Sequence, residues 1–438
     1  MVAEPDLKPR RAPPLGVSRT RPLGAAGSSS PFSESDTLAR QMRKSAAKPP
    51  SLSRRTRPFQ ESVIREMTRI GAEVGGVNLA QGLPDFDPPA ELLDALPGIL
   101  SQTRHHQYSF TWGSPEFRQS VAAKCARFNG ITVNPDSEVT ITCGVSEALV
   151  DAVLGLTEPG DDVVLLEPWY ENYVPACVLA GVKPRFVPLA ERDYALDLGR
   201  LEKAVTNRTR LMILNTPGNP SGRVLSREEL AEIASLCQRF GVVAVVDEIY
   251  EHIWYEGHRH ISLGSLPGME DRTVTVSGLG KTYAVTGWRV GWAVAAAPLT
   301  ARIRKVHDYV TLCAPSPFQA AGCVALALPD SYYEELRRQY AKRRAILLDA
   351  LLRCGLSFTP PEGSYYVMVD AKPLGWKNDW DLVNFLARKV GVLAVPGSSF
   401  YTRRGGGKTR ARLNFAKKEE TLREAVRRLS ARSLRYKP

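Results

Sequence analysis

At 438 residues the chain exceeds the size at which a single hydrophobic core keeps growing, so two structural bodies are expected. Hydrophobic residues at 43% and charged residues at 24% are ordinary for a soluble globular protein, and the lack of a long apolar run argues against a membrane span. The net charge of +12 suggests nucleic acid only until it is divided: residues 1–58 hold twelve Lys/Arg against four Asp/Glu, and the remainder holds 46 against 42.

Residues 1–57 are rich in Pro, Ser, Arg and Gly and lack periodicity, so they cannot bury enough apolar surface to offset ordering entropy. A disordered basic tail is expected there. Its prolines and the early acids Glu4 and Asp6 argue against an organelle presequence, and a start assigned too early, near Met42, is the alternative to a dispensable tail. From Phe59 the chain turns globular. Val63, Ile64, Met67 and Ile70 give Gln60–Ala72 a helical spacing that Gly75-Gly76 ends. Beyond Ile99, apolar runs alternate with amphipathic stretches. They predict strands at Val139–Cys143, Val163–Glu167, Arg185–Leu189, Leu211–Asn215, Val242–Asp247, Thr273–Ser277 and Val290–Ala295. Continuous apolar strands between helices predict an α/β architecture with a mainly parallel sheet covered on both faces. After Pro329 a long helix, Tyr332–Arg353, short strands and a last helix, Glu419–Leu434, predict a smaller α+β domain over 331–438, joined by an arm at 58–91. The larger domain then spans 92–330. Seven cysteines without CxxC spacing or a His cluster suggest neither a zinc site nor a disulfide framework, and a reducing cytoplasm fits them.

Several polar residues stand where structure alone gives them little to do. Lys281 directly follows a predicted strand, at the end where α/β sites form, although a lone lysine there is ordinarily a solvated surface group. Asp247 closes a very apolar strand, where a carboxylate is costly unless it caps a helix or meets a cation. Gly144-Val145-Ser146-Glu147-Ala148-Leu149 leaves a strand and opens a helix, which aims backbone amides at an anion. The wording of three stretches goes further: Asn215-Thr-Pro-Gly-Asn219-Pro-Ser-Gly222, Val246-Asp247-Glu248-Ile249-Tyr250, and Lys281-Thr-Tyr-Ala-Val-Thr-Gly-Trp-Arg289-Val-Gly291. Together they resemble the class I/II aminotransferases of fold type I, from about Pro58 to the C-terminus.

That resemblance implies pyridoxal 5′-phosphate (PLP) as cofactor, no metal, and transfer of an amino group from an L-amino acid to a 2-oxo acid through a Schiff base on Lys281. Asp247 would face the pyridine nitrogen, and Tyr250 and Asn219 the phenolic oxygen. Val145, Ser146 and Arg289 would hold the phosphate. Tyr170, with Trp169 as the fallback, would cover the ring's outer face. Tyr108 matches a tyrosine that reaches the neighbouring subunit's phosphate, which implies a homodimer with shared sites. Gly280 stands where many relatives have a serine, so the other phosphate ligands must compensate. Arg412 would hold the substrate carboxylate as a bidentate guanidinium, and Gly82 would bring backbone close to the same substrate.

A dicarboxylate-specific subgroup has a lysine where Ser146 stands, which argues against a dedicated aspartate enzyme unless an arginine from elsewhere replaces it. The run Tyr401-Thr-Arg403-Arg404-Gly-Gly-Gly-Lys408-Thr-Arg410 reads as a solvated loop, or as a device for a large or phosphorylated anionic co-substrate. A second reading keeps PLP and directs the same chemistry to β- or γ-substitution, carbon–carbon bond formation or oxidation. A third, a DNA-binding regulator, needs a helix-turn-helix that the first 57 residues lack, so neither nucleic acid nor membrane is an expected partner.

Overall fold

The computed structural model describes residues 61–436 continuously, preceded by 52, 53, 55–57 and 59; the expected basic tail lies almost wholly outside them. Seven apolar runs form one sheet: β1 (Val139–Thr142), β2 (Asp162–Glu167), β3 (Lys183–Pro188), β4 (Thr209–Asn215), β5 (Val243–Asp247), β6 (Thr273–Gly278) and β7 (Gly291–Val294). Each lies within two residues of its predicted bounds at either end. The spatial order is β1-β7-β6-β5-β4-β2-β3. Strands β2 to β6 pair in parallel, and β7 runs antiparallel between β1 and β6. Parallel neighbours require crossovers, and the crossover helices cover both faces; β1 and β6 are accordingly buried at every residue.

This topology gathers the carboxyl ends of several strands. β1 leads into Gly144 and the helix α1 (Val145–Leu156), β4 ends at Asn215, β5 at Asp247, and β6 leads into the short helix that carries Lys281. The crevice beyond such strand ends is where open α/β sheets bind ligands.

A second, antiparallel sheet comes from the last third of the chain: β8 (Ser357–Phe358), β9 (Tyr366–Asp370), β10 (Val395–Pro396) and β11 (Arg410–Asn414), in the order β10-β11-β9-β8. The helix over Asp330–Arg353 packs against the last one, Glu419–Ser430, which stops four residues short of its predicted end. The chain beyond it turns back, buries Leu434 and offers that residue's carbonyl to Trp376 Nε1 at 2.8 Å.

The first described helix, Val63–Val74, ends as its sequence predicts, with Gly75 in the left-handed region at φ 58° and its N–H returning to the carbonyl of Gly71. The segment after it is fastened to the end of the chain. Val77–Asn78 pairs in parallel with Val392–Leu393, Asn414 donates its backbone N–H to Leu79 O at 2.9 Å, and Lys417 Nζ donates to Leu83 O at 2.5 Å. Residues 79–83 are thereby held over the carboxyl ends of the large sheet.

Candidate active site

A cavity of about 540 Å³ opens at those strand ends, lined also by Ser62, Ile64, Arg65 and residues 81–83. Ten of the eleven candidate site residues line it, and Tyr108 does not. The cavity has three chemically distinct parts.

The first suits an oxyanion. Gly144 at φ 82° turns the chain from β1 into α1, and a Cβ there would stand 2.6 Å from Arg289 Nη2, so the turn and the arginine fit only around glycine. Val145 and Ser146 begin α1, where N–H groups have no intrahelical acceptor. Arg289 holds its own place through Nη1 to Thr286 O at 3.0 Å and Nη2 to Cys143 O at 3.3 Å. Glu147 fixes the same turn from behind, accepting the Cys143 N–H while its other oxygen meets His307 Nδ1 at 2.8 Å. Asn172, which sequence reasoning missed, donates to Ser146 Oγ at 2.9 Å. Gly280 lines this cavity too, and a Cβ on it would meet the backbone of Thr286 at an ordinary 3.4 Å.

The second part pairs an acid with an amine. Asp247 is buried, with Oδ2 accepting from Tyr173 Oη at 2.8 Å and Oδ1 from the Ile249 N–H at 3.1 Å. Burial, outweighing these two bonds, raises its pKa to about 6. An acid so placed gains from a cation brought against it. Lys281 is shifted the other way: burial lowers the ammonium's pKa, and Arg289 and Arg412 add to it against the pull of Tyr366 and Asp247. Its Nζ donates to Gly82 O at 3.4 Å. Gly82 admits no side chain, since a Cβ would fall 1.9 Å from Tyr366 Oη. Tyr250 is buried with its hydroxyl 3.4 Å from that of Tyr366, and burial lifts its phenol well above the usual range.

The turn bearing Asp247 and Tyr250 rests on a buried polar network. Glu251 pairs with Lys124, and its other oxygen accepts from Ser277 Oγ on β6 at 2.6 Å. Glu248 accepts from Ser262 at 2.6 Å and meets His260 Nε2 at 2.9 Å. The Lys124 ammonium beside Glu251 and the hydrogen bonds from Ser277, Ser262 and His260 offset part of a burial that would otherwise be costly.

The third part is a guanidinium. Arg412, on β11, is fully buried; it donates to Asn219 Oδ1 and Ala80 O, both at 2.8 Å, and stacks on Tyr366 and Phe400. Among the described residues it has no carboxylate partner, and its Nε has no acceptor. Tyr170 also lines the cavity, whereas Trp169 faces a separate crevice and lies beside Phe186. Tyr108 is 82% exposed and borders a different hollow with Phe110.

The basic run at 403–410 does not reach the cavity. Arg403 pairs with Glu191 at 2.7 Å, and Arg410 donates to Tyr194 Oη at 2.6 Å and to Glu191 O. Gly406 packs against Tyr401 and Gly407 against Gly397, and the remaining cations Arg404 and Lys408 are exposed.

A model of the family aminotransferase class I and II matches residues 74–429. The chain belongs to that family. The probable N-succinyldiaminopimelate aminotransferase of Mycobacterium tuberculosis is 38% identical over 386 residues, 86% of this chain and 97% of that protein. The methionine aminotransferase of Escherichia coli is 36% identical across 84% of this chain and 95% of its own length. The solved N-succinyldiaminopimelate aminotransferase structure from M. tuberculosis superposes with a TM-score of 0.84, covering 87% of this chain and all of that one. The fold is thus fold type I, and the chain is an aminotransferase, an enzyme that moves an amino group between an amino acid and an oxo acid. No described helix of this aminotransferase is long and apolar enough to cross a membrane.

Sequence reasoning passed over Tyr173, Asn172, Tyr365 and Tyr366 in the site. Tyr173 follows Tyr170 by three residues, so a signal was present. Tyr366 reaches the cavity because β9 packs beside β11, and the adjacent Tyr365 donates its hydroxyl to Gly82 O at 2.9 Å.

Proposed function

We propose that this aminotransferase works with pyridoxal 5′-phosphate and passes nitrogen from an L-amino acid to a 2-oxo acid. Bound there, the cofactor would supply an aldehyde to bind the nitrogen and a protonated ring to accept electrons from the substrate Cα. The cavity's donor set suits such a group: an anion cradle in Gly144, Val145, Ser146 and Arg289, and a buried carboxylate with a raised pKa in Asp247, which a ring cation would return to its ionised form. Lys281 is the amine for the aldehyde, and its lowered pKa leaves more of it unprotonated and nucleophilic near neutrality. Released from that bond, the same Nζ moves the proton at the substrate Cα. Tyr250 and the free amide of Asn219 would bind the phenolic oxygen, and Tyr170 would cover the ring.

The observation that carries the reading is Arg412, a wholly buried guanidinium at the cavity with no counter-anion among the described residues. Such a charge is costly unless a ligand completes it, and the α-carboxylate of an amino acid fits a planar fork. Relatives named for N-succinyldiaminopimelate, methionine and kynurenine suggest a donor side chain that is long or apolar.

In the same reading residues 92–330 form the cofactor-binding domain, 58–91 and 331–438 form the smaller one, and the enzyme is a cytoplasmic homodimer in which Tyr108 completes the neighbouring subunit's phosphate site. The exposure of Tyr108 and its distance from its own chain's cavity support that arrangement. The deciding experiment follows the visible spectrum of PLP-loaded protein on addition of single amino acids. Conversion to the amine form by a donor, reversed by a 2-oxo acid, is the expected result. Product formation without the amine form would replace transamination by another PLP reaction.

A further inference from the structure

Behind the anion cradle three ionisable side chains meet that the amino-transfer chemistry does not use. Glu147 and Asp151 stand one turn apart on α1 and so share a face of that helix. His307 reaches them from the helix Ala297–Val310, which packs against α1. One donor atom from each of the three lies within 4.8 Å of the others, the side chains are at most 7% exposed, and none of them lines the cavity. The imidazole is turned as a metal ligand is. Its Nε2 donates to Thr111 O at 2.7 Å, so in the neutral ring Nδ1 carries the lone pair, and Nδ1 faces Glu147 Oε1 at 2.8 Å and Asp151 Oδ2 at 3.8 Å. Asp151 supplies a second, separate observation. Both of its oxygens are buried without a hydrogen-bond partner, and among the described residues neither it nor Glu147 pairs with a lysine or arginine. Two neighbouring interior carboxylates, one of them with no donor, are costly unless a cation lies between them.

We propose that Glu147, Asp151 and His307 form a binding site for a first-row divalent cation, Zn²⁺, which braces α1 against the helix Ala297–Val310 behind the anion cradle. Two carboxylates and an imidazole are donor types that such an ion takes, and the two carboxylates cancel its charge. Donor atoms around Zn²⁺ at about 2.1 Å stand roughly 3–4 Å apart. That is close to the spacing already present around Nδ1. The Thr111 carbonyl is the kind of acceptor that fixes a ligating ring from behind. The ion in turn fixes Glu147, whose other oxygen accepts the Cys143 N–H, and so steadies the Gly144 turn without touching substrate. No zinc spacing was visible in the sequence because the third donor comes from a remote helix.

The test uses full-length PLP-loaded enzyme stripped with a chelator, freed of it, and given zinc chloride alone. Bound zinc is counted by mass spectrometry after gel filtration, its Kd is taken by competition with a chromophoric chelator, and Tm is measured with and without the ion. Wild type is expected to hold a single Zn²⁺ per chain and to gain about 2–4 °C in Tm. Asp151→Asn should weaken Kd about a hundredfold, the upper end of what even a residue behind a metal ligand contributes, and lose the gain in Tm. Without metal it should unfold no lower than stripped wild type, since it loses a buried carboxyl group to which nothing donates. Asp151→Ala, which suits a helix interior, repeats the measurement with the side chain removed. His307→Gln is expected to give the same loss of zinc. His105→Gln combined with His106→Gln removes a neighbouring histidine pair from another helix and controls for metal held elsewhere. A stripped wild type that takes up no zinc overturns the site and leaves the cluster held by protons alone. So does a Kd that changes less than twofold in Asp151→Asn, or zinc that only the His105/His106 variant loses, which is an adventitious ion only.

Discussion

Arg412 and Asp247 show how a site is built from groups that would be poor choices for stability alone. Asp247 titrates near 6 in the folded chain and near 3.9 unfolded, so the folded state binds the extra proton between those values. The sign follows: the cofactor-free protein loses stability as pH rises from 4 to 6, by about 3 kcal/mol at pH 7, and the loss is constant above that. Asp247→Asn should abolish most of this slope and leave the cofactor-free protein about 1–2 kcal/mol more stable at pH 8, after the weaker bond to Tyr173 is allowed for. Urea unfolding of both proteins at pH 4.5 and 8 measures it, and a parallel pH dependence in the two would remove Asp247 as its source. Cofactor affinity should fall in the same variant. Arg412→Gln keeps a donor to Ala80 O and loses the charge. Its kcat/KM for every amino acid should fall about a hundredfold or more, and a loss confined to one substrate would contradict an α-carboxylate role.

At the scale of elements, the site depends on how strand ends are anchored. The Gly144 turn joins β1 to α1 with no room for a side chain, so Gly144→Ala should cost about 1–3 kcal/mol through its positive φ and displace Arg289. Weaker cofactor retention on dialysis is the second expected effect. Behind β5 and β6, the Lys124–Glu251–Ser277 chain ties the helix Pro115–Lys124 to both strand ends that carry Asp247 and Lys281. Lys124→Met leaves Glu251 buried without its cation and should cost about 3–5 kcal/mol. Adding Glu251→Gln should recover part of that loss; an additive loss in denaturant unfolding would mean that the two do not act as a pair.

For the whole molecule, the proposed sharing of sites between subunits has a signature that no single chain can produce. Lys281→Ala removes the amine from a chain's own site, and Tyr108→Ala removes the phosphate contact from its neighbour's. In a mixed dimer of the two variants both defects fall in one site and the other is intact. Random exchange of the two inactive or weakened proteins should therefore restore activity to about a quarter of the wild-type level, because half of the dimers are hybrids with one good site each. No recovery after verified exchange would place Tyr108 outside the neighbouring site.

The sequence alone determined the α/β class and the seven strands to within two residues, because these rest on apolar runs punctuated by helices; local pattern also marked Gly144, Asp247 and Lys281, while the other cavity residues were expected only from the resemblance of three motifs to a family. Tertiary structure decided what lies between distant segments. Tyr366 lines the cavity only because β9 pairs with β11. The same packing turned Arg403 and Arg410 toward Glu191 and Tyr194 and left Arg404 and Lys408 exposed. Local sequence specifies which charges a chain carries; only the meeting of remote segments decides which of them are neutralised and which remain for a ligand.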